Sequence, residues 1–283
     1  MFEVIKAIIY GLLEGITEWL PISSTGHLLL AEKLIPFEGT SENFFGMFDV
    51  VIQLGAILAV VLLFWKQIWP FALTKKEREG KKGAMSFIKM DIMTLWFKIM
   101  VSCVPAAIIG ILFDETFEAL FYNPPCIAIA LIVFGVAFIL IENWNKGRKP
   151  KVTALGEITY QTALMIGVFQ LIAAIFPGTS RSGATIVGAL LIGVSRTVAA
   201  EFTFFLAIPV MFGASLLKIV KFGFGFTGLE LGLLLTGTLA AFVVSLFVLR
   251  FLMGYIKKHN FKVFGWYRIA LGIVVLLFAN KLG

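Results

Sequence analysis

The chain has 283 residues, of which 59% are hydrophobic, and its mean hydropathy is +0.96. That is too apolar for a soluble domain, and the apolar runs are continuous rather than alternating, which excludes a β-barrel and leaves a helical integral membrane protein. The net charge of +7 does not point to nucleic acid, because the basic residues lie in loops between apolar runs, where orientation signals sit.

Met1–Leu20 is apolar apart from Glu3, Lys6, Glu14, Thr17 and Glu18, an interruption that does not fit a cleavable signal peptide. Pro21 breaks it, Ile22–Thr25 is polar, and Gly26-His27 leads into Leu28–Leu34. Each piece is too short or too polar for a span of ~20 residues. Together they predict a re-entrant hairpin, two short helices that enter and leave by the same face. Broken backbone at membrane depth is stable only where protein or a cavity surrounds it. Three spans follow, Phe44–Phe64, Ile92–Phe113 and Pro125–Ile141. The second contains Pro105 and Lys98, which can snorkel or pair with a carboxylate. Cys103 and Cys126 lie in or beside apolar runs, where neither a disulfide framework nor a metal site is expected.

The second half repeats this plan. Ile158–Phe176, a break at Pro177-Gly178 and Ala184–Val194 give another hairpin, and Phe202–Val220, Leu229–Leu252 and Val263–Ala279 give three more spans. A shift of 156 positions places Pro21 on Pro177, Ser24 on Ser180, Gly11 on Gly167, Glu14 on Gln170 and Ser23 on Thr179. Three spans per half is an odd number, so the halves insert with opposite topology. The expected fold class is an all-α polytopic membrane protein with an inverted-topology repeat, each half a re-entrant hairpin plus three transmembrane helices. It forms a single integral membrane domain over residues 1–283, with repeat one at about 1–145 and repeat two at about 155–283. The loop from Lys66 to Lys89 holds seven Lys/Arg, the linker from Lys146 to Lys151 four, and the segment from Arg250 to Arg268 five. All fall on one side under six spans, which predicts that side to be cytoplasmic and both termini extracytoplasmic. The opposite side collects Glu32, Glu38, Glu42, Asp114, Glu115 and Glu118.

The stretch that breaks the pattern most is Pro177 to Thr185, Pro-Gly-Thr-Ser-Arg-Ser-Gly-Ala-Thr, lying between two apolar runs. Pro177 and Gly178 stop one helix, and Thr179, Ser180, Ser182 and Thr185 suit the start of the next. A helix N-terminus presents free N–H groups and a positive dipole end, and the Arg181 guanidinium matches phosphate oxygens two at a time, so the segment predicts an anion site with phosphate as the first candidate. An arginine at membrane depth costs at least ~2.5–3.5 kcal/mol and is usually functional; the alternative is a buried ion pair.

Glu14 and Glu18, four residues apart, share a helix face and need a positive partner, either Arg181 or a divalent cation, Mg²⁺ or Ca²⁺, held by the two carboxylates. His27 follows Ser24 by three residues, so both project to one face and could serve as base, acid or nucleophile in phosphoryl transfer. Ser23, Ser24 and Thr25, like Ser180, Ser182 and Thr185, could also simply cap helices. Asp49, Gln53 and Glu201 could line the same cavity, whereas Asp91 and Lys98 read as structural.

Glu14-Gly-Ile-Thr-Glu18 followed by Ser23-Ser-Thr-Gly-His27 resembles the first motif of the bacterial undecaprenyl-diphosphate phosphatases of the bacitracin-resistance type, and Pro177–Thr185 is similar to their second, P-G-x-S-R-S-x-x-T. The resemblance covers essentially the whole chain. It implies a hydrolase that removes the terminal phosphate of undecaprenyl diphosphate, recycling the lipid carrier for cell-wall synthesis, with a divalent cation and a site open to the extracytoplasmic side of the plasma membrane. It also implies catalytic roles for Ser24, His27, Glu18 and Arg181, metal binding by Glu14 and Glu18, and substrate binding by Ser23, Thr25, Gly178, Thr179, Ser180, Ser182 and Thr185. Ser24 is the preferred nucleophile, with His27 and Glu18 as acid–base partners and a His27 nucleophile close behind. The expected partners are the lipid substrate and membrane lipids, with a homodimer left open.

A transporter or flippase of undecaprenyl phosphate is the rival reading, because inverted repeats with broken helices are common among carriers. A carrier needs anion binding but no acid–base set. A phosphatase of the vanadate-sensitive acid type would need a second site histidine, and His259 in a basic loop does not supply one.

Overall fold

A helix begins where a small hydroxyl side chain can take its first free N–H groups, and seven of the helices here begin after such a residue or Asn. The computed structural model describes residues 2–72 and 84–282. In chain order the helices are α1 (Phe2–Thr17), α2 (Ser24–Leu34), α3 (Phe44–Val51), α4 (Gln53–Leu63), α5 (Trp65–Ile68), α6 (Met90–Phe121), α7 (Pro124–Trp144), α8 (Tyr160–Ile175), α9 (Arg181–Leu191), α10 (Arg196–Phe222), α11 (Gly228–Ile256) and α12 (Lys262–Leu282). Ser23, Asn123, Thr159, Ser180, Ser195 and Thr227 each cap the helix that follows through the side-chain oxygen, and Asn43 precedes α3 without a side-chain bond. Of the basic loop before α6, Lys75, Lys76, Arg78, Lys81 and Lys82 lie outside the described residues, as do the side chains of Asp114, Glu115 and Glu118.

Among the described residues five segments are long and apolar enough to cross a membrane: α3 with α4, the first part of α6, α7, α10 and α11. The 21-residue α12 packs along α7. α6 runs to Phe121, eight residues past the predicted end, and α10 starts at Arg196, six before the predicted start. Polar residues in the sequence at those ends, Asp114, Glu115 and Glu118 in one and Arg196 and Glu201 in the other, lower the hydropathy without ending the helix.

Packing exchanges the two halves. α1 lies along α11, and α8 lies along α6. Each contact is seated on a glycine: a side chain at Gly11 would strike the Gly237 carbonyl, and one at Gly167 the Ser102 carbonyl. The second, shorter hairpin helices follow suit, α2 against α12 and α9 against α7. At the centre α7 and α12 cross with Gly135 and Gly265 face to face, the small-residue crossing that lets two backbones approach inside a membrane. That crossing brings α12, one turn beyond Gly265, against the two hairpin tips.

Candidate active site

The two hairpin tips share an unusual backbone. Ser23 (φ 73°, ψ 106°) and Ser180 (φ 68°, ψ 123°) both have positive φ, a conformation costly for a residue with a Cβ, by ~1–3 kcal/mol. Each hydroxyl accepts a bond from the N–H three residues on, Gly26 at 3.4 Å and Gly183 at 3.2 Å. The offset between these caps is 157 residues, not the 156 that relates Pro21 to Pro177. The extra residue is accommodated at Gly178, where φ is +88° and the Ile127 backbone lies so near that a Cβ would sit 2.6 Å from its carbonyl oxygen. Counted from the two caps, Ser24 therefore corresponds to Arg181, not to Ser180. Both are the first residue of their short helices.

These two positions meet on Glu18. Its Oε1 accepts from Arg181 Nη2 at 2.9 Å, and its Oε2 accepts from Ser24 Oγ at 3.0 Å. The Glu18 carbonyl accepts from Ser182 Oγ at 3.0 Å, and Ser182 shares a 3.1 Å bond with Ser180. Arg181 also donates through Nη1 to the Thr203 carbonyl at 3.0 Å. Its buried Nε has no protein partner among the described residues, which leaves one fork direction open.

The remaining expected residues divide. Glu14 is fully buried, and neither carboxylate oxygen has a partner among the described residues, although Glu18, Asp49 and Arg181 are within electrostatic reach. Thr179 is buried, and its hydroxyl has no partner among the described residues. Thr25, Asp49 and Gln53 line a cavity of about 650 Å³ together with Pro177 and Lys218. Thr185 ties α9 to α10 through the Thr203 hydroxyl at 2.9 Å, and Ser23 and Ser180 are occupied as caps. Gly178 acts through its backbone.

Two expectations are corrected. His27 does not turn to Ser24. Its Nδ1 lies 2.7 Å from the Ser23 carbonyl and its Nε2 2.7 Å from the Tyr267 hydroxyl, against whose ring it stacks. A carbonyl can only accept, so Nδ1 carries the proton and, in the neutral ring, Nε2 accepts from Tyr267. The spacing of three predicted a shared face, but the first turn of α2 points the imidazole back along the strained cap. Glu201 lies toward the other end of α10, within electrostatic reach of Lys257, and does not line this cavity.

Sequence reasoning missed Arg268, grouping it with the orientation charges. It is fully buried and donates to the Gly178 and Thr179 carbonyls at 2.9 and 2.6 Å and to the Pro21 carbonyl at 3.3 Å. One guanidinium thus holds the backbone of both breaks. The signal was available: Arg268 sits inside the apolar run Val263–Ala279, as Arg181 sits between two.

A glutamate bonded to a serine hydroxyl, an arginine with an open donor and two helix N-termini at one point can bind a phosphate and deprotonate a nucleophile beside it. Comparison with known proteins points the same way. Over 278 residues the chain is 62% identical to a protein of Desulfitobacterium hafniense named undecaprenyl-diphosphatase, covering 98% of this chain and 96% of the relative. Proteins of the same name from Lachnoclostridium phytofermentans and Enterococcus faecalis are 62% and 60% identical, each covering 96% of its own length and 96% and 97% of this chain. The family profile described as bacitracin resistance protein BacA matches residues 7–274, and the chain belongs to that family.

Proposed function

We propose that this multi-pass membrane protein hydrolyses the terminal phosphoanhydride of undecaprenyl diphosphate to undecaprenyl phosphate and inorganic phosphate. Recycling of the carrier and resistance to bacitracin would follow. The observation that supports it most is Glu18 standing between Arg181 and Ser24, a join between residues 163 positions apart.

In this reading Ser24 Oγ attacks the terminal phosphorus and its proton passes to Glu18 Oε2. The bond to the bridging oxygen breaks, Glu18 passes the proton to that oxygen, and the lipid phosphate leaves. Water then attacks the phosphoserine and gives its proton to the freed Glu18; the bond from phosphorus to Ser24 Oγ breaks, Glu18 returns the proton to that oxygen, and phosphate departs. Arg181, with its open Nε, the unpartnered Thr179 hydroxyl and the N-termini of α2 and α9 hold the charged oxygens; positioning and charge neutralisation are the main work in phosphoryl transfer. Ser24 is preferred over His27 as nucleophile because both ring nitrogens of His27 are engaged elsewhere. His27 positions the Ser23 backbone instead.

The residues fit a divalent cation, Mg²⁺ or Ca²⁺: Glu14 is a buried carboxylate with two unsatisfied oxygens, and hard oxygen donors suit these ions. Glu14 would hold it, and Glu18 less readily, since Arg181 and Ser24 occupy its oxygens. When bound, the ion would neutralise phosphate charge. The reading of the halves as an inverted repeat is supported by the exchanged packing of α1 and α8 and by the matched caps. The basic linkers favour a cytoplasmic face on their side and a site open to the other. The carrier reading accounts for the broken helices but not for the Ser24–Glu18 bond.

The test is phosphate release from a prenyl diphosphate by purified protein in detergent, with Mg²⁺, Ca²⁺ or chelator, for wild type, Arg181→Ala and Ser24→Ala. Cation-dependent release lost in both variants is expected. No release under any condition, with the fold intact and prenyl phosphate bound, would replace this reading with the carrier.

A further inference from the structure

A second cavity, of about 470 Å³, lies at the opposite ends of α7 and α10 from the site above. Trp144 and Arg196 border it, whereas Lys218 of α10 borders the first cavity and Asn123 caps the far end of α7. At 1.5 Å per residue the 21 residues of α7 span about 30 Å, the thickness of a bilayer core. The two cavities are therefore at opposite membrane surfaces.

Five cations border the second cavity, Arg148, Lys149, Lys151, Arg196 and Lys257, against one carboxylate, Glu142. Glu142 is buried and consumed: Arg196 Nε donates to it at 2.8 Å, and the Phe261 N–H donates at 2.9 Å. Lys257 is within electrostatic reach of Glu201. Among the described residues Arg148, Lys149 and Lys151 form no ion pair.

The frame is fixed rather than a loose loop of lysines. The Lys151 N–H donates to the Gly193 carbonyl at 2.7 Å, the Ser195 N–H donates to the Val152 carbonyl at 2.9 Å, and Asn145 Nδ2 donates to the Leu190 carbonyl at 3.0 Å. These bonds zip the linker to the turn between α9 and α10, and the first turn of α10 opens into the space. The cavity is also amphipathic. Trp144 and Leu191 are exposed on its rim, and Arg148 lies 3.9 Å over the Trp144 ring. A tryptophan at a helix end beside cations is the composition of headgroup depth, and basic pockets between membrane helices take acidic lipid headgroups.

From this placement we infer that the cavity bordered by Arg148, Lys149 and Lys151 binds the phosphate headgroup of an anionic phospholipid, at the surface opposite the candidate active site. The rim of Trp144 and Leu191 gives its acyl chains an apolar path that a free anion would not need. The inference does not depend on the proposed reaction.

Native mass spectrometry of the full chain in detergent tests it, with dioleoylphosphatidylglycerol as probe and dioleoylphosphatidylcholine as control. Wild type is expected to hold one phosphatidylglycerol in preference to phosphatidylcholine. Each cation removed should weaken binding about fivefold, and Arg148→Ala with Lys149→Ala and Lys151→Ala about a hundredfold. Binding of phosphatidylcholine should not change. Lys149→Glu, at an exposed position, gives the same reading if the triple variant fails to fold, and thermal melting checks both. Unchanged phosphatidylglycerol affinity in a folded variant would overturn the inference. So would displacement of the lipid by millimolar inorganic phosphate, which would make this a soluble-anion pocket, or stronger binding of farnesyl phosphate, which would make it a prenyl-phosphate site.

Discussion

Glu18→Gln separates charge from shape at the centre of the site. The amide is nearly isosteric, but Arg181 Nη2 can only donate, so the amide oxygen must take its place at Oε1, 2.9 Å away. The amide nitrogen then faces Ser24 Oγ across 3.0 Å as a donor, and the serine proton must turn away. The serine loses its base, and the charge that balances Arg181 disappears. A positioned base is worth about 10²–10⁴ in rate, so kcat should fall about a thousandfold, equal to ~4 kcal/mol of barrier. KM should stay within about threefold, because the phosphate-binding donors are untouched. Breaking a buried ion pair costs ~3–5 kcal/mol, and the lower end applies since the Arg181 and Glu18 side chains keep 13% and 9% exposure and Arg181 retains the Thr203 carbonyl. Steady-state phosphate release with a melting curve on the same preparation reads both quantities. A folded Glu18→Gln enzyme within about tenfold of wild-type kcat would refute Glu18 as the base.

Other residues give further outcomes. Arg268→Lys retains the charge but cannot reach both Thr179 at 2.6 Å and Gly178 at 2.9 Å, so one carbonyl loses a charged bond. A loss of ~1.5–3 kcal/mol in thermal stability is expected, with a drop in kcat beyond what melting explains; an unchanged melting curve would contradict the clamp. Gly178→Ala adds a Cβ at positive φ against the Ile127 carbonyl, and should cost at least ~1 kcal/mol and reduce expression of folded protein. His27→Ala removes the bond on the Ser23 carbonyl while leaving Ser24 and Glu18 in place. A roughly tenfold to hundredfold loss of kcat is expected with the pH profile retained, whereas complete loss together with a trapped phosphohistidine in wild type would restore His27 as nucleophile.

The elements of the site that sequence displays are those that violate the membrane's demand for apolar residues. Pro21, Pro177, Glu14, Glu18 and Arg181 stand out because each is expensive where it sits, and both hairpins follow from them. Side-chain direction is less visible. His27 at a spacing of three from Ser24 satisfies the helical rule, yet the positive φ at Ser23 and the partner Tyr267, 240 residues away, turn the ring elsewhere. The one-residue offset at Gly178 was equally hidden, because thin identity aligns Ser24 with Ser180 as readily as with Arg181. Arg268 was obscured by Lys257, Lys258 and Lys262 before it, which made a buried clamp look like the end of a basic loop.

Ser24 and Arg181 each stand directly after a serine cap of positive φ, so the site divides its labour between two tips of similar backbone and different chemistry. A chain with two identical hairpins would bring serine to serine, with no charge to hold a phosphate, or arginine to arginine, with no attacking oxygen and two cations in conflict. Placing arginine at position 24 or serine at position 181 would leave both caps in place and still remove one half of the chemistry.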